Sequence, residues 1–280
     1  EDKFAGLAGG THFPMWGIVQ CPLIYGELLI LSSQTPDAGM VAYNKQSGEV
    51  VWKTDSLGNF SYTSPSIAKV NGEDHLIMIT ASSGGFGGGA KTPSNVVGIN
   101  PKTGAILWTY SNWSCWIPSS PAYDAGENKL LIVGGYRSGS AMIQVEKNGS
   151  EYKVNELFKT AEFGEHTKPP LSHNGYFYAH FSNNETRDGL TCMNGEGQIM
   201  WKTKREPGFD KGSMILADGL ILATDGAKKL YLILPDPSGF KPLASAELLG
   251  TGQNWAPIAL ADGKLLIRDQ SRMICVKVAE

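Results

Sequence analysis

The sequence is short of the residues from which most metal and redox chemistry is built. Its 280 residues include four cysteines, Cys21, Cys115, Cys192 and Cys275, and five histidines. The cysteines lie far apart, with no CxxC and no adjacent pair, which argues against a zinc knuckle or a thioredoxin-type motif. They read as scattered structural thiols, with two distant disulfides left open. No histidine stands in HxH or HExxH. His173 and His180 flank "NGYFYA" (174–179) in one expected hairpin, where they are placed to face each other. Long apolar runs are missing too. The longest, such as "LLILSS" (28–33), are strand-sized and far from the ~20 residues a membrane-spanning helix needs. Charge is balanced at 24 basic and 27 acidic residues, net −3, with no basic stripe or acidic tail. Nucleic acid and anionic membrane are therefore poor partners. The first residues do not read as a secretory signal.

What is abundant is glycine, at 34, with Trp, Tyr and Phe at 7, 10 and 10. Glycine-bearing turns between short β-branched and aromatic runs indicate an all-β chain. The runs also repeat. Gly48 leads to Trp52, Gly104 to Trp108 and Gly197 to Trp201, and a degenerate copy, "KNGSEYKVNELFKT" (147–160), ends on Phe158. The aromatic spacings are 56, 50 and 43 residues. A second phrase, a small residue and Pro before an apolar strand, recurs at Pro22, Pro65, Pro121, Pro170, Met214 (in the Pro slot) and Pro257, at intervals of 43, 56, 49, 44 and 43. Two phrases with one drifting period define six modules, at about residues 20–62, 63–118, 119–167, 168–211, 212–254 and 255–280. Each reads as four short antiparallel strands, the unit of a β-propeller blade. A twisted sheet must bury its faces, and a large ring at a fixed place in each outer strand packs on the neighbouring sheet. Trp52, Trp108, Phe158 and Trp201 are therefore expected to dock modules together, each buried ring stabilising by roughly 1.5–3 kcal/mol.

"VAYNKQSGEVVW" (41–52) and "VVGINPKTGAILW" (96–108) resemble the tryptophan-docking repeat of pyrroloquinoline-quinone-like (PQQ-like) β-propellers. The resemblance spans about residues 16–280 and is closest in look to uncharacterised secreted bacterial members. It implies a single propeller domain over 1–280 in the periplasm or outside the cell. Such propellers usually have eight blades, so the six modules are expected either to form a six-bladed ring or to lack one or two N-terminal blades.

The family includes quinoprotein dehydrogenases, and the resemblance states what those need: adjacent cysteines over the quinone and a carboxylate-rich Ca²⁺ site. No two cysteines are adjacent here, and no compact Asp/Glu/Asn cluster reads as a calcium site. The expected cofactor is therefore none, with PQQ and calcium as the alternative, and no metal ligand or catalytic residue is assigned. A sugar-processing propeller using Asp188, Asp225 or Asp269 is a third reading. "SSGGFGGGAK" (82–91) lacks the Gly-Lys-Ser/Thr ending of a phosphate loop and reads as a hairpin loop.

In a propeller the segments leading into each innermost strand rim the central channel. Here they bring Trp16, Tyr62, Trp113, Trp116, His166, Lys168, Lys211, Gln253, Asn254 and Trp255. This expected channel mouth is an aromatic funnel with polar anchors, suited to a protein or glycan partner. The function expected is a non-catalytic binding or scaffold protein of the bacterial envelope. An oxidoreductase with an atypical site is the alternative.

Overall fold

The computed structural model describes residues 16–83, 92–181, 187–250 and 252–278. Most of the glycine-rich 82–91 stretch lies outside them. All regular structure among the described residues is β, as six antiparallel sheets in which strands pair in chain order. The first sheet holds β1 (Leu23–Tyr25), β2 (Leu28–Thr35), β3 (Ala38–Asn44) and β4 (Val50–Lys53). The second holds β5 (Ser66–Val70), β6 (Glu73–Ile79), β7 (Ser94–Ile99) and β8 (Ile106–Trp113). The third holds β9 (Tyr123–Gly126), β10 (Lys129–Gly134), β11 (Gly139–Asn148) and β12 (Glu151–Thr160). The fourth holds β13 (Leu171–His173), β14 (Tyr176–Phe181), β15 (Gly189–Asn194) and β16 (Ile199–Lys202). The fifth holds β17 (Met214–Ala217), β18 (Leu220–Thr224), β19 (Lys229–Leu234) and β20 (Lys241–Glu247). The sixth has three strands, β21 (Ala259–Ala261), β22 (Lys264–Arg268) and β23 (Met273–Lys277). The chain forms two compact units: Gly135–Gly139 joins Thr160 onward in the second, and the rest makes the first.

The turns explain the strand lengths. The opening hairpins of sheets two, four, five and six close on Asn71-Gly72, Asn174-Gly175, Asp218-Gly219 and Asp262-Gly263, with φ positive at both residues. That is the two-residue turn whose twist matches paired strands. The turn before the outer strand of sheets one, two and four is built differently. Asn44 Oδ1 accepts from the amides of Gln46 and Ser47, Asn100 Oδ1 from Lys102 and Thr103, and Asn194 Oδ1 from Glu196 and Gln198. An Asn side chain thus substitutes for backbone in each turn, and Gly48, Gly104 and Gly197 complete it.

One step after each of these turns the register shifts, and the tryptophan lies opposite the residue just before the shift. The pairs are Ala42 with Trp52, Gly98 with Trp108 and Cys192 with Trp201. In the first unit Trp52 is buried against sheet two, its Nε1 donating to the Pro101 carbonyl at 3.2 Å. Its ring leaves no room for a Cβ at Gly104, which would come within 2.6 Å, and Gly104 also holds φ +75°. Trp108 is buried in the cluster of sheets two and three and donates to His75 Nδ1 at 2.9 Å. In the second unit Trp201 Nε1 donates to the Asp236 carbonyl of sheet five at 2.8 Å. Phe209, Tyr231 and Phe240 pack in the same cluster. Phe158 lies half-buried on β12. The core runs along β2, β6, β10, β14 and β18, most of whose central residues are buried, with Phe177 and Tyr178 in β14 where the others carry mainly aliphatic side chains.

Two carboxylates tie second-unit turns and tune acid stability. Asp236 takes Lys241 and the Ser238 amide, and the Lys241 ammonium is the chief reason its carboxyl is held down at about 2. Asp269 accepts from the amides of Gly250, Ser271 and Arg272 and from the Ser271 hydroxyl, each at 2.8 Å, and these donors hold its carboxyl well below the usual range. A depressed folded pKa stabilises above the unfolded value, about 3.9, and that contribution is lost as pH falls through the folded value. Melting temperature should therefore drop between about pH 4 and pH 2. Asp269→Asn should lower it at neutral pH and flatten the acid limb in circular-dichroism melts. An acid limb unchanged in Asp269→Asn would contradict this role.

Candidate functional site

The lead-in segments of the second unit converge around one buried carboxylate. Glu165 has no exposed surface. Its Oε1 accepts from the His166 amide at 2.9 Å and from Lys168 Nζ at 3.3 Å, and its Oε2 accepts from the His180 amide at 3.0 Å. Burial raises its pKa, opposed by Lys168 and the two amides. His180, on β14, is equally buried and stacks on Phe209 with ring centroids 5.4 Å apart. Its Nδ1 meets the Gly212 carbonyl at 3.0 Å. A carbonyl only accepts, so Nδ1 carries the proton. Nε2 has no hydrogen-bond partner among the described residues. Burial holds the ring well below the usual histidine range, so it is neutral.

The Gly212 loop continues the rim. Gly226 packs against the amides of Lys211 and Gly212, and its carbonyl takes the Asn254 amide at 2.8 Å. Lys211 pairs with Asp210 at 3.1 Å and lies 4.9 Å over the Trp255 ring. Trp255 is 44% exposed. A cation held over an indole face is attracted by the ring quadrupole and orients the ring. On the other side Tyr136, 39% exposed, meets the His166 ring edge-on at 4.7 Å. The close approach of His166 depends on Gly135, where a Cβ would stand 2.4 Å from Nδ1.

The expected mouth residues thus separate by exposure. Trp255 and Gln253 are exposed, Lys168 and Lys211 half-buried, and His166 and Asn254 buried behind them. In the first unit Trp16 is half exposed and tilts against Tyr62 at 5.4 Å, its amide donating to the Tyr62 hydroxyl at 3.3 Å. Trp116 is half-buried. Trp113 is a core residue, 2% exposed, because β8 continues to it and pairs it with Ser94. Sequence reasoning passed over Tyr136, Glu165 and Asp210. Glu165 carried a signal: a carboxylate one residue before a histidine and three before a lysine.

One further expectation is corrected. His173 pairs with Tyr176, four residues along β14 from His180, so the two histidines stand roughly 13 Å apart and do not face each other. No disulfide joins any of the four cysteines, in line with the reading of scattered thiols; Cys115 and Cys192 are buried, Cys21 and Cys275 exposed. Asp188 pairs with Lys202 at 3.2 Å, Asp225 accepts from the Ala227 and Lys229 amides, and Asp269 ties its turn. The described residues contain no helix long and apolar enough to cross a membrane.

Antiparallel four-stranded meanders, three of them with a docking tryptophan in the outer strand, define a β-propeller of PQQ-like repeats. The family model described as outer membrane protein assembly factor BamB matches residues 25–237, and the chain belongs to that family. Among solved structures, the crystal structure of BamB from Moraxella catarrhalis is similar at 12% identity and a TM-score of 0.47, covering 92% of this chain and 82% of that one. No curated protein matches the chain.

Proposed function

We propose that the protein is a non-catalytic binding and scaffold propeller of the bacterial envelope, working in the periplasm, and that it holds a polypeptide at the second-unit rim. The reading rests on one observation above the others: Trp255 stands exposed with Lys211 over its face, on a rim braced from beneath by Glu165, His180 and Asn254. An indole with an adjacent ammonium suits an apolar side chain flanked by a carboxylate. The buried polar groups fix the segment, so binding costs little ordering. The family's description, an assembly factor for outer membrane proteins, makes an extended outer-membrane polypeptide the partner of choice.

The test is calorimetric titration of the full chain with a solubilised, unfolded outer-membrane β-barrel segment. Trp255→Ala should weaken binding by tenfold or more, the loss typical of a central anchor, with melting temperature little changed. Equal affinity in wild type and Trp255→Ala would overturn the assignment of the rim. Binding of an oligosaccharide in place of the polypeptide would assign the same rim to a glycan.

A further inference from the structure

Sheets one, two and four each place a tryptophan opposite the residue just before the register shift. Sheet five has the same shift, between Leu232 and Ile233, and the residue opposite Leu232 is Ala244. The docking slot of the fifth sheet therefore carries a methyl group where the other three carry an indole. β20 is exposed along its whole length. Between sheets five and six, within the second unit, lies a groove of about 440 Å³. Ala244, Leu222, Leu230 and Leu232 line it from one sheet, Leu260 and Val278 from the other. Its volume is in the range of small-molecule sites and its lining is mainly apolar, with Asp218 and Ser245 as polar members.

We infer that this groove is a receptor slot for a tryptophan side chain presented by a partner protein in an extended segment. The occupant follows from the chain itself. Trp52 and Trp201 fill the corresponding space at their own sheets and donate to a carbonyl three residues before the next turn's glycine, Pro101 before Gly104 and Asp236 before Gly239. The groove abuts Val278, the residue after β23, close to the place that Pro101 and Asp236 take two residues after β7 and β19. An indole entering from outside thus meets apolar side chains of the kind that pack Trp52 and Trp201 in this chain. The site is separate from the rim around Trp255 and stands or falls independently of it.

The test titrates indole into the full chain and follows the ¹³C-methyl resonances of the leucines. Saturable shifts confined to Leu220, Leu222, Leu230, Leu232 and Leu260 are expected, with Kd on the order of 1 mM or tighter. Ala244→Trp should fill the slot from within, raise the melting temperature and weaken indole binding by about tenfold or more. Ala244→Leu, a smaller change, should weaken it about threefold and serves if the tryptophan variant fails to fold. Absence of shifts in wild type, or unchanged affinity in folded Ala244→Trp or Ala244→Leu, would overturn the assignment. A wild-type dimer that Ala244→Leu dissociates would give the groove to a second copy and overturn it as well.

Discussion

Trp108→Ala is expected to lower the free energy of unfolding by about 3–5 kcal/mol, measured by urea denaturation. Three losses add. The buried indole leaves a void in the cluster of sheets two and three. Its Nε1 no longer donates to His75 Nδ1, which at 0% exposure cannot turn to water. The ring that lies over Gly98, where a Cβ would come within 2.1 Å of it, leaves that strand uncovered. Trp108→Phe should fall between the two, keeping most of the apolar contact and losing the hydrogen bond. Val51→Ala is the control: Val51 is 51% exposed and next to a docking tryptophan, and its truncation should change stability by no more than about 0.5 kcal/mol. A Trp108→Ala loss under about 1 kcal/mol would mean that the sheets do not depend on the docked ring.

Glu165→Ala should be nearly as damaging, at about 3–5 kcal/mol, for an electrostatic reason. It removes the acceptor of two buried amides, those of His166 and His180, and of the Lys168 ammonium. Glu165→Gln keeps one acceptor oxygen and almost the same volume, and should cost roughly half as much. The pH dependence separates the two roles of the carboxyl. Its folded pKa is raised by burial. A raised folded value gives stability that is complete below the unfolded value, about 4.3, and is lost as pH rises through the folded value. Glu165→Gln should remove that downward slope, leaving the acid limb of Asp236 and Asp269 in place. A wild-type slope retained in the variant would assign it to another group.

Much of the fold was legible because its devices are local. An Asn cap, a glycine and a tryptophan four residues later lie within one turn and strand, so "NKQSGEVVW" states its own hydrogen bonds. The four-stranded module follows from repeating that phrase. The site was harder, because it is made by long-range packing. Trp255 and Lys211 were both in the expected rim, yet nothing local says that one stacks on the other. Tyr136 belongs to a hairpin of the third sheet, and its contact with His166 depends on where that hairpin's Gly135 and the later Glu165 loop meet. Trp113 looked like a lead-in residue because outer strands elsewhere stop soon after their tryptophan; β8 runs five residues past Trp108 and carries Trp113 into the core. The missing tryptophan in "KPLASAE" was visible, but only the register shift at Leu232 identifies Ala244 as the residue in its place.

The measurement that tests the account most directly is thermal unfolding of the full chain with an unfolded outer-membrane polypeptide, beside a second series with PQQ and Ca²⁺. A ligand at 100 times its Kd adds about 2.7 kcal/mol, a shift of a few degrees in a chain of this size. The account predicts that shift with the polypeptide, its loss in Trp255→Ala, and none with PQQ and Ca²⁺. A shift that requires both PQQ and Ca²⁺, with none from the polypeptide, would contradict it.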